Sequence, residues 1–383
     1  MKQTKILLNT ALAVMFCAVL PLRTYSQEVS REIQRTFTVK PGMTLYVTNR
    51  QGNIHIDTWD KPEVRLTAKI SLTGPNTDVL EERLEVIKIN ATASDTAIKI
   101  ENQSPSGSRM IWASPPSNKP YVLNLQSFSG TGSEKTDFQL TVPRTLKMKI
   151  DHQYGDVFLG NTDALLDLSL RHGSIKGDIL KGKNKLTFIY ANGSIKQLGK
   201  ATIEAQKSQL HILGAQRLDI HSAYSEFEID QADSLISSHK HNEFEIKNVG
   251  YLKMDEDYSE VNVFHLLNEG DFRFNYGDLK LDWVAPDFTY LNLTGELSDF
   301  DVKVDTTAEF SLEIDSDLTD IHIPEDVIIL NKKDIPQVKT LRLHGVKGLE
   351  NLRTIKPMDN IYVKDKTRKR IVIITKNGEV ILK

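Results

Sequence analysis

The chain is almost without cysteine, which limits the ways it can be held together. Cys17 is its only cysteine, and it lies in the apolar run "ILLNTALAVMFCAVLPL". This run follows Lys2 and Lys5, and Thr24 and Ser26 then supply small residues at positions −3 and −1 before Gln27, the layout of a cleavable secretory signal. We predict a signal peptide at residues 1–26, with cleavage after Ser26. An exported chain without disulfides must then rely on burial and hydrogen bonding.

The charge is not distributed uniformly along the chain. The net charge of −3 becomes −6 once the three basic residues of the signal are removed. Ala215 to Leu330 hold 27 acidic and 7 basic residues, whereas Asn331 to Lys383 hold 14 basic and 5 acidic residues. This split predicts two different surfaces. We expect no nucleic-acid partner and no transmembrane span in the mature chain.

Helical periodicity is scarce, and a repeat takes its place. "YSEFEI" at Tyr224–Ile229 returns as "HNEFEI" at His241–Ile246 and as "YSEVNV" at Tyr258–Val263. The general unit is a turn residue, an acid or polar residue, and two apolar residues separated by one position. Its copies begin at Gly155, Gly173, Gly193, Ser208, Ser225, Asn242, Ser259, Gly277, Ser298 and Thr319, at spacings of 15 to 21 residues, with further copies at Gly52 and Gly378.

This period predicts an all-β parallel β-solenoid with coils of 17–21 residues. Each coil is expected to hold two short strands joined by a tight turn, because apolar residues alternate on both sides of each copy. Stacked coils bury the apolar ladders, such as Phe227 above Phe244 and Ile229 above Ile246. A β-sandwich explains the alternation equally well, but not the constant phase of the motif.

We divide the mature chain into three parts. Residues 27–145 are expected to form N-terminal coils and a cap, with a short inserted helix near 77–88 and an excursion at 103–120. Asn76 or Thr77 is the expected N-cap of that helix, with Val79, Leu80, Leu84 and Ile87 on one face. Residues 146–330 are the regular solenoid, and residues 331–383 are a basic cap that ends in a hairpin around Asn377–Gly378.

The motifs resemble a known family. "NRQGNIHIDTWDKPEVRLTAKI", "VPRTLKMKIDHQYGDVFLG" and the repeated units are similar to exported bacterial adhesin-like β-solenoids of the auto-transporter adhesin head type, whose function is unknown. The resemblance covers most of the mature chain. It implies a right-handed β-helix outside the cytoplasm and no proven activity.

The outer face carries the candidate binding residues. Strand alternation directs the aromatic and the acid of each copy outward, so that the carboxylates form a column about one strand spacing apart. Three interpretations remain open: a solvated acidic face, a face bridged by Ca²⁺, and a recognition surface with tyrosines as flat anchors for a glycan or a protein of the cell envelope. The candidates are Tyr224, Glu226, Glu228, His241, Glu243, Glu245, Tyr258, Glu260, Tyr276 and Asp278.

Catalytic and metal-binding motifs are lacking. His239 and His241 are close in sequence but have no evident third ligand, so we predict no metal site and no required cofactor. We expect a non-enzymatic adhesin-like or structural binding module in the periplasm, on the outer-membrane surface or secreted. The alternative is a carbohydrate-active lyase or hydrolase on a β-helix scaffold, which would need a cleft walled by residues 103–120. The basic stretch Val363–Arg370 is interpreted first as a solvated face of the hairpin. The alternatives are a contact with anionic lipid, with lipopolysaccharide or with the acidic column of another molecule, and the last of these would give salt-sensitive self-association.

Overall fold

The computed structural model describes residues 26–103, 133–308, 310–324, 352–355 and 369–383. The predicted signal peptide, the excursion after residue 103 and most of the basic stretch at 363–370 lie outside these residues. The chain divides into a larger unit (Glu32–Lys69, Ile89–Gln103 and Thr136–Lys383) and a smaller unit (Met1–Arg31, Ile70–Lys88 and Ser104–Lys135).

The described residues contain one helix, α1 (Thr77–Val86), and the following strands: β1 (Gln27–Thr38), β2 (Thr44–Asn49), β3 (Ile54–Trp59), β4 (Glu63–Gly74), β5 (Lys88–Ala93), β6 (Ala97–Gln103), β7 (Ser133–Pro143), β8 (Lys147–Gln153), β9 (Val157–Leu159), β10 (Leu166–Arg171), β11 (Ser174–Ile189), β12 (Asn192–Gln206), β13 (Gln209–Ile212), β14 (Ala215–Ala223), β15 (Glu226–Lys240), β16 (Glu243–Asp257), β17 (Glu260–Asn275), β18 (Asp278–Val284), β19 (Tyr290–Glu296), β20 (Asp299–Val304), β21 (Ser311–Pro324), β22 (Leu352–Ile355) and β23 (Arg370–Leu382).

The larger unit is a parallel β-solenoid of about nine turns with about 18 residues each, which confirms the predicted fold class. β15, β16 and β17 pair in parallel, with Phe227 opposite Phe244 and Phe244 opposite Val261. The two phenylalanine rings are fully buried and stack with centroids 5.0 Å apart. Burial of each large apolar side chain contributes about 1.5–3 kcal/mol, so these inner ladders supply much of the stability.

Two details of the predicted coil differ from the structure. The regular coils are not pairs of short strands: β15 and β16 each run for 15 residues without a break. The copy assigned to Gly193 is out of phase by two residues, because Ile175 pairs with Gly193 and Ser174 with Asn192, which places Ala191 opposite Gly173. With this correction the coil length from Gly173 to Ser259 is 17 or 18 residues throughout.

The C-terminal strand does not form the predicted hairpin. β23 is a single strand that crosses Asn377 and Gly378, and it pairs in parallel with β19 and β20 on one side and with β21 on the other. An Asn-Gly pair is typical of a two-residue hairpin turn because that turn needs left-handed backbone. Here Asn377, with φ of 53°, uses the same backbone to form the corner of a solenoid coil. The last strand therefore lies between two earlier coils.

The N-terminal end also departs from chain order. β2 and β3 pair in parallel with β6 and β7 on one side and with β8 and β9 on the other. The coil built from β6 and β7 thus stacks on the free side of the coil built from β2 and β3, which comes earlier in the sequence. At both ends, a coil that is distant in sequence is placed next to another by parallel hydrogen bonding.

The smaller unit contains α1, close to the predicted inserted helix. Asn76 is its N-cap and accepts hydrogen bonds from the backbone N–H groups of Asp78 and Val79. Leu80, Leu84 and Ile87 are buried as expected, whereas Val79 is exposed. Arg83 pairs with Glu134 within this unit at 2.9 Å.

Candidate functional site

Each regular coil turns a corner on one residue with left-handed backbone. These corner residues have φ between 50° and 55°, and successive ones donate a backbone N–H to the next coil, as Tyr224 does to Lys240. Left-handed backbone costs an ordinary residue about 1–2 kcal/mol and is unusual for a bulky side chain. The corner column is Tyr154, His172, Tyr190, Lys207, Tyr224, His241, Tyr258, Tyr276, Leu297, Asn377 and Leu318.

The residue that follows each corner is the turn residue of the motif, and its hydrogen bonds explain why it is small and polar. Ser225, Asn242 and Ser259 are buried, and their side-chain oxygens accept hydrogen bonds from the backbone N–H groups of the equivalent residues one coil earlier, at 3.0–3.3 Å. The Ser225 hydroxyl in turn donates to the Ala223 carbonyl at 3.1 Å. These N–H groups would otherwise be buried without a partner, a cost of about 1–3 kcal/mol each. Small polar residues recur here for that reason.

The side chains of the corner column stack along the solenoid. The ring centroids of Tyr224 and His241 are 4.7 Å apart, those of His241 and Tyr258 5.0 Å, and those of Tyr258 and Tyr276 4.9 Å. Their planes are inclined by 4–16°. Tyr154, His172 and Tyr190 form a second stack, at 5.0 and 5.1 Å. We call the column from Tyr154 to Tyr276, with Lys207 between the two stacks, the ring ladder.

This geometry restricts the interpretation of the tyrosines as flat anchors, which is one of the three that the sequence leaves open. Because the planes of neighbouring rings are nearly parallel, most ring faces in the ladder are covered by the next ring. Tyr224, Tyr258 and Tyr276 are each about half exposed, and what they offer to solvent is mainly ring edges and hydroxyl groups. A ligand that runs beside the ladder therefore meets a row of hydrogen-bonding edges.

A column of carboxylates runs parallel to the ring ladder, two residues further along each strand. Glu226, Glu243 and Glu260 pair in register, and Glu260 pairs with Asp278. Burial, together with Asp299 and Glu260, raises the pKa of Asp278 above its usual value, as expected for like charges at strand spacing. We call the whole column the acidic ladder: Glu226, Glu243, Glu260, Asp278, Asp299, Glu379 and Asp320.

Glu228 belongs to a different arrangement from Glu226. Lys247 donates to Glu228 at 2.9 Å and to Asp230 at 2.7 Å, and the His211 Nε2 lies 3.3 Å from Asp230. Burial alone would raise the pKa of Asp230, but the hydrogen bonds from Lys247 and His211 hold it below its usual value. His211, Glu228 and Asp230 are close enough to hold a metal ion. The Lys247 ammonium already provides the positive charge there.

An open groove of about 780 Å³ lies along the two ladders. Six of the predicted residues line it: Tyr224, Glu226, His241, Glu243, Tyr258 and Glu260. Tyr276 extends the ring ladder, and Asp278 lines a smaller groove of about 240 Å³. Glu228 and Glu245 lie opposite each other one row further from the rings. The structure thus brings the candidates onto one surface but separates these two from the groove.

Sequence reasoning missed four members of the ring ladder, namely Tyr154, His172, Tyr190 and Lys207. The first three directly precede the glycine or alanine that begins a coil, so the phase of the repeat contained the information. Tyr190 is hidden when the copy is aligned on Gly193 instead of Ala191. Lys207 also precedes a copy of the repeat, at Ser208, but its side chain is not aromatic. Its φ of 50° and its register identify it as a corner residue.

A buried carboxylate behind the ring ladder was also missed. Glu256 is 1% exposed and accepts hydrogen bonds from the hydroxyls of Ser237 at 2.6 Å and Ser259 at 3.0 Å, and from the Asn242 amide at 3.0 Å. Burial raises its pKa above the usual 4.5, although these donors and the nearby His239 act in the opposite direction. Alternation points Glu256 inward, but an acid in "MDEDYSE" gives no sign of that by itself.

The comparisons with known proteins find similarity only among solved structures. No family model matches the sequence, and no curated protein matches it. A candidate adhesin from Parabacteroides distasonis has 9% identity and a TM-score of 0.32, over 72% of this chain and 92% of its own. A candidate adhesin from Parabacteroides merdae has 8% identity and a TM-score of 0.32, over 73% and 94%. One from Bacteroides fragilis has 10% identity and a TM-score of 0.27, over 72% and 97%.

The one helix of the described residues, α1, has 10 residues. Within the described part of the chain, no helix has the length and apolar character needed to span a bilayer.

Proposed function

We propose that this chain is a non-enzymatic, adhesin-like binding module that acts outside the cytoplasm at the cell envelope. The observation that carries the proposal is the ring ladder, in which seven aromatic side chains occupy left-handed corners; six of them are exposed, and His241 is half-buried. Glycine or asparagine would adopt this backbone at a lower cost. Strained residues that persist on a surface are candidates for function.

The ladders provide a regular surface for an extended partner. Ring edges and carboxylates recur at about the strand spacing, so one ligand can contact the same groups on several successive coils. The groove is open along its length, which suits a linear glycan or a segment of an envelope protein. Export follows from the predicted signal peptide and is tested by locating the full-length chain in cell fractions.

A glycan array tests the binding function. The mature chain is applied beside a double variant, Tyr224→Asn with Tyr258→Asn, which removes two rings but keeps a residue that tolerates left-handed backbone. Leu297→Asn is the matched control, because it makes the same replacement at a corner without a ring. We expect a defined set of glycans to bind the wild type and the control, and to bind the double variant at least about tenfold more weakly, since each lost stacking or hydrogen-bonding contact is worth about 1 kcal/mol. Equal binding by all three chains would contradict the proposal.

A further inference from the structure

The ring ladder is interrupted once between Tyr154 and Tyr276, at Lys207. Asn192, Gln209 and Glu226 pair in register, so the residues two positions earlier, Tyr190, Lys207 and Tyr224, occupy equivalent corners of three coils. Lys207 therefore stands where every other coil of this stretch has a ring. The two tyrosines on either side of it are separated by two coil spacings.

The space at this position has the thickness of one ring. Two strand spacings amount to about 9.6 Å, so a ring midway between Tyr190 and Tyr224 would lie about 4.8 Å from each. This is the centroid separation at which rings stack favourably, and the rings of the ladder itself are 4.7–5.1 Å apart.

Lys207 occupies the space with a flexible chain. Its ammonium donates to the Tyr190 hydroxyl at 3.2 Å and lies 5.2 Å from the centre of that ring. Both side chains are exposed, so these contacts are worth little in water and can be exchanged for a ligand. An alkyl chain with a terminal charge can move aside and keep its ammonium at the rim. There it would meet an anionic substituent of the incoming ring.

The neighbouring side chains favour a sugar ring. Asn192, Gln209 and Glu226 are exposed in the adjacent row, and their amide and carboxylate groups are suitable partners for hydroxyl groups. Gln209 and Glu226 are already hydrogen-bonded to each other at 2.9 Å, which fixes the orientation of that pair. A purely aromatic ligand would leave these polar groups without a role.

The charged side chains around Lys207 favour an acidic ligand and also favour one direction for its chain along the ring ladder. Arg171, which directly precedes the corner residue His172, and Lys176, four residues after it, are both exposed. The acidic ladder begins on the other side, at Glu226. An anionic chain that enters at Lys207 is therefore repelled by the acidic ladder on the Tyr258 side and attracted by Arg171 and Lys176 on the His172 side. Asp156, which accepts hydrogen bonds from Ser174, sets the limit of this stretch.

We propose that the interruption at Lys207 is a subsite for a carboxylate-bearing sugar residue of an acidic polysaccharide, which extends from there toward His172. The sugar ring stacks between Tyr190 and Tyr224, and its carboxylate pairs with the Lys207 ammonium. This inference rests on the proposed binding function and names the class of ligand for one end of the groove.

Calorimetric titration with galacturonic acid oligosaccharides tests the subsite, with neutral galactose oligosaccharides of the same length as the comparison. Lys207→Tyr completes the ring ladder and closes the space, so we expect it to weaken acidic-sugar binding roughly tenfold or more. Lys207→Met keeps the alkyl chain without the charge, so it should remove the preference for the acidic over the neutral sugar. Leu297→Tyr places the same side chain at a corner outside the ring ladder and should bind like the wild type. Thermal unfolding of each variant verifies that it is folded.

The possible outcomes distinguish a failure of the subsite proposal from a failure of the proposed binding function. Undiminished acidic-sugar binding by folded Lys207→Tyr would overturn the subsite, and so would a wild type that binds neutral and acidic sugars equally. Failure of the wild type to bind any acidic sugar, while another glycan on the array binds in a Tyr258-dependent way, would overturn the subsite and leave the proposed function intact. Absence of any glycan ligand on the array would count against both.

Discussion

Tyr258 and Tyr276 occupy the same corner of successive coils, with ring centroids 4.9 Å apart and planes inclined by 4°. Both have left-handed backbone, with φ of 53° and 55°. Each stacked pair contributes about 0.5–1.5 kcal/mol, and each left-handed corner costs about 1–2 kcal/mol. The two magnitudes are comparable, so stacking offsets the backbone strain without making the corner more stable than a simpler residue would.

Replacing a corner residue by asparagine separates these two contributions. Leu297→Asn relieves the left-handed backbone and loses no ring stack, so we expect the free energy of unfolding to rise by about 1 kcal/mol. Tyr258→Asn relieves the same strain but loses the stacks with His241 and Tyr276, so its stability should be lower than that of Leu297→Asn by about 1–3 kcal/mol. Urea unfolding measures both. Equal effects of the two replacements would show that the rings contribute nothing to stability.

Gly173 allows two coils to approach closely. A Cβ atom there would lie 1.9 Å from the carbonyl oxygen of Gly155, which is backbone and cannot move aside easily. We expect Gly173→Ala to lower the free energy of unfolding by about 1–3 kcal/mol or more. Gly160→Ala is the matched control, because its nearest contact would be 3.3 Å from the Ile56 carbonyl oxygen. A Gly173→Ala chain as stable as the control would contradict this close approach of the two coils.

Glu256 predicts a dependence of stability on pH. Its pKa is raised in the folded chain, so folding favours the protonated carboxyl. The contribution is complete below the usual pKa of 4.5 and is lost as the pH rises through the folded pKa. Glu256→Gln removes the charge and retains hydrogen-bonding groups, so it should raise the free energy of unfolding more at pH 7 than at pH 4. Glu243→Gln, on the exposed ladder, is the comparison. An equal gain at both pH values for Glu256→Gln would refute the assignment.

The acidic ladder also allows a test of the calcium hypothesis. Carboxylates at strand spacing repel by about 0.8 kcal/mol per neighbouring pair in water, and a divalent cation bridging two of them would relieve this repulsion. The hypothesis predicts that calcium raises the melting temperature and that Glu243→Gln, which lies between Glu226 and Glu260, reduces the gain. An unchanged melting curve in calcium would leave the ladder as a solvated or ligand-binding surface.

The fold could be predicted from the sequence because the sequence repeats. A parallel ladder places each residue opposite its equivalent one period away, so a constant phase such as Phe227–Phe244–Val261 specifies both the pairing and the face. The outer positions Tyr224, Glu226, His241 and Glu243 followed from the same alternation. This is why six of the ten candidate residues lie in one groove.

The errors arose where a local signal had more than one structural meaning. Gly193 resembles the start of a coil, whereas the corner is Tyr190, and Asn377–Gly378 resembles a hairpin turn, whereas it is a coil corner. The order of the terminal coils depends on hydrogen bonds between β23 and β21 and between β2 and β6, which join segments far apart in the chain. No periodic pattern within one segment reports such a pairing.

The central claim is that successive coils align the outer residues into columns at strand spacing. A pair of cysteines at Glu226 and Glu243 tests it, because these residues lie directly opposite each other on β15 and β16. Adjacent strands place their Cα atoms about 4.8 Å apart, within the range that a disulfide spans. Residues 27–383 contain no other cysteine, so mass spectrometry of the oxidised monomer of this segment reads the result directly. We expect a disulfide in Glu226→Cys with Glu243→Cys and none in Glu226→Cys with Glu260→Cys, which lie two coils apart. The same yield from both pairs, or no disulfide in the first, would contradict it.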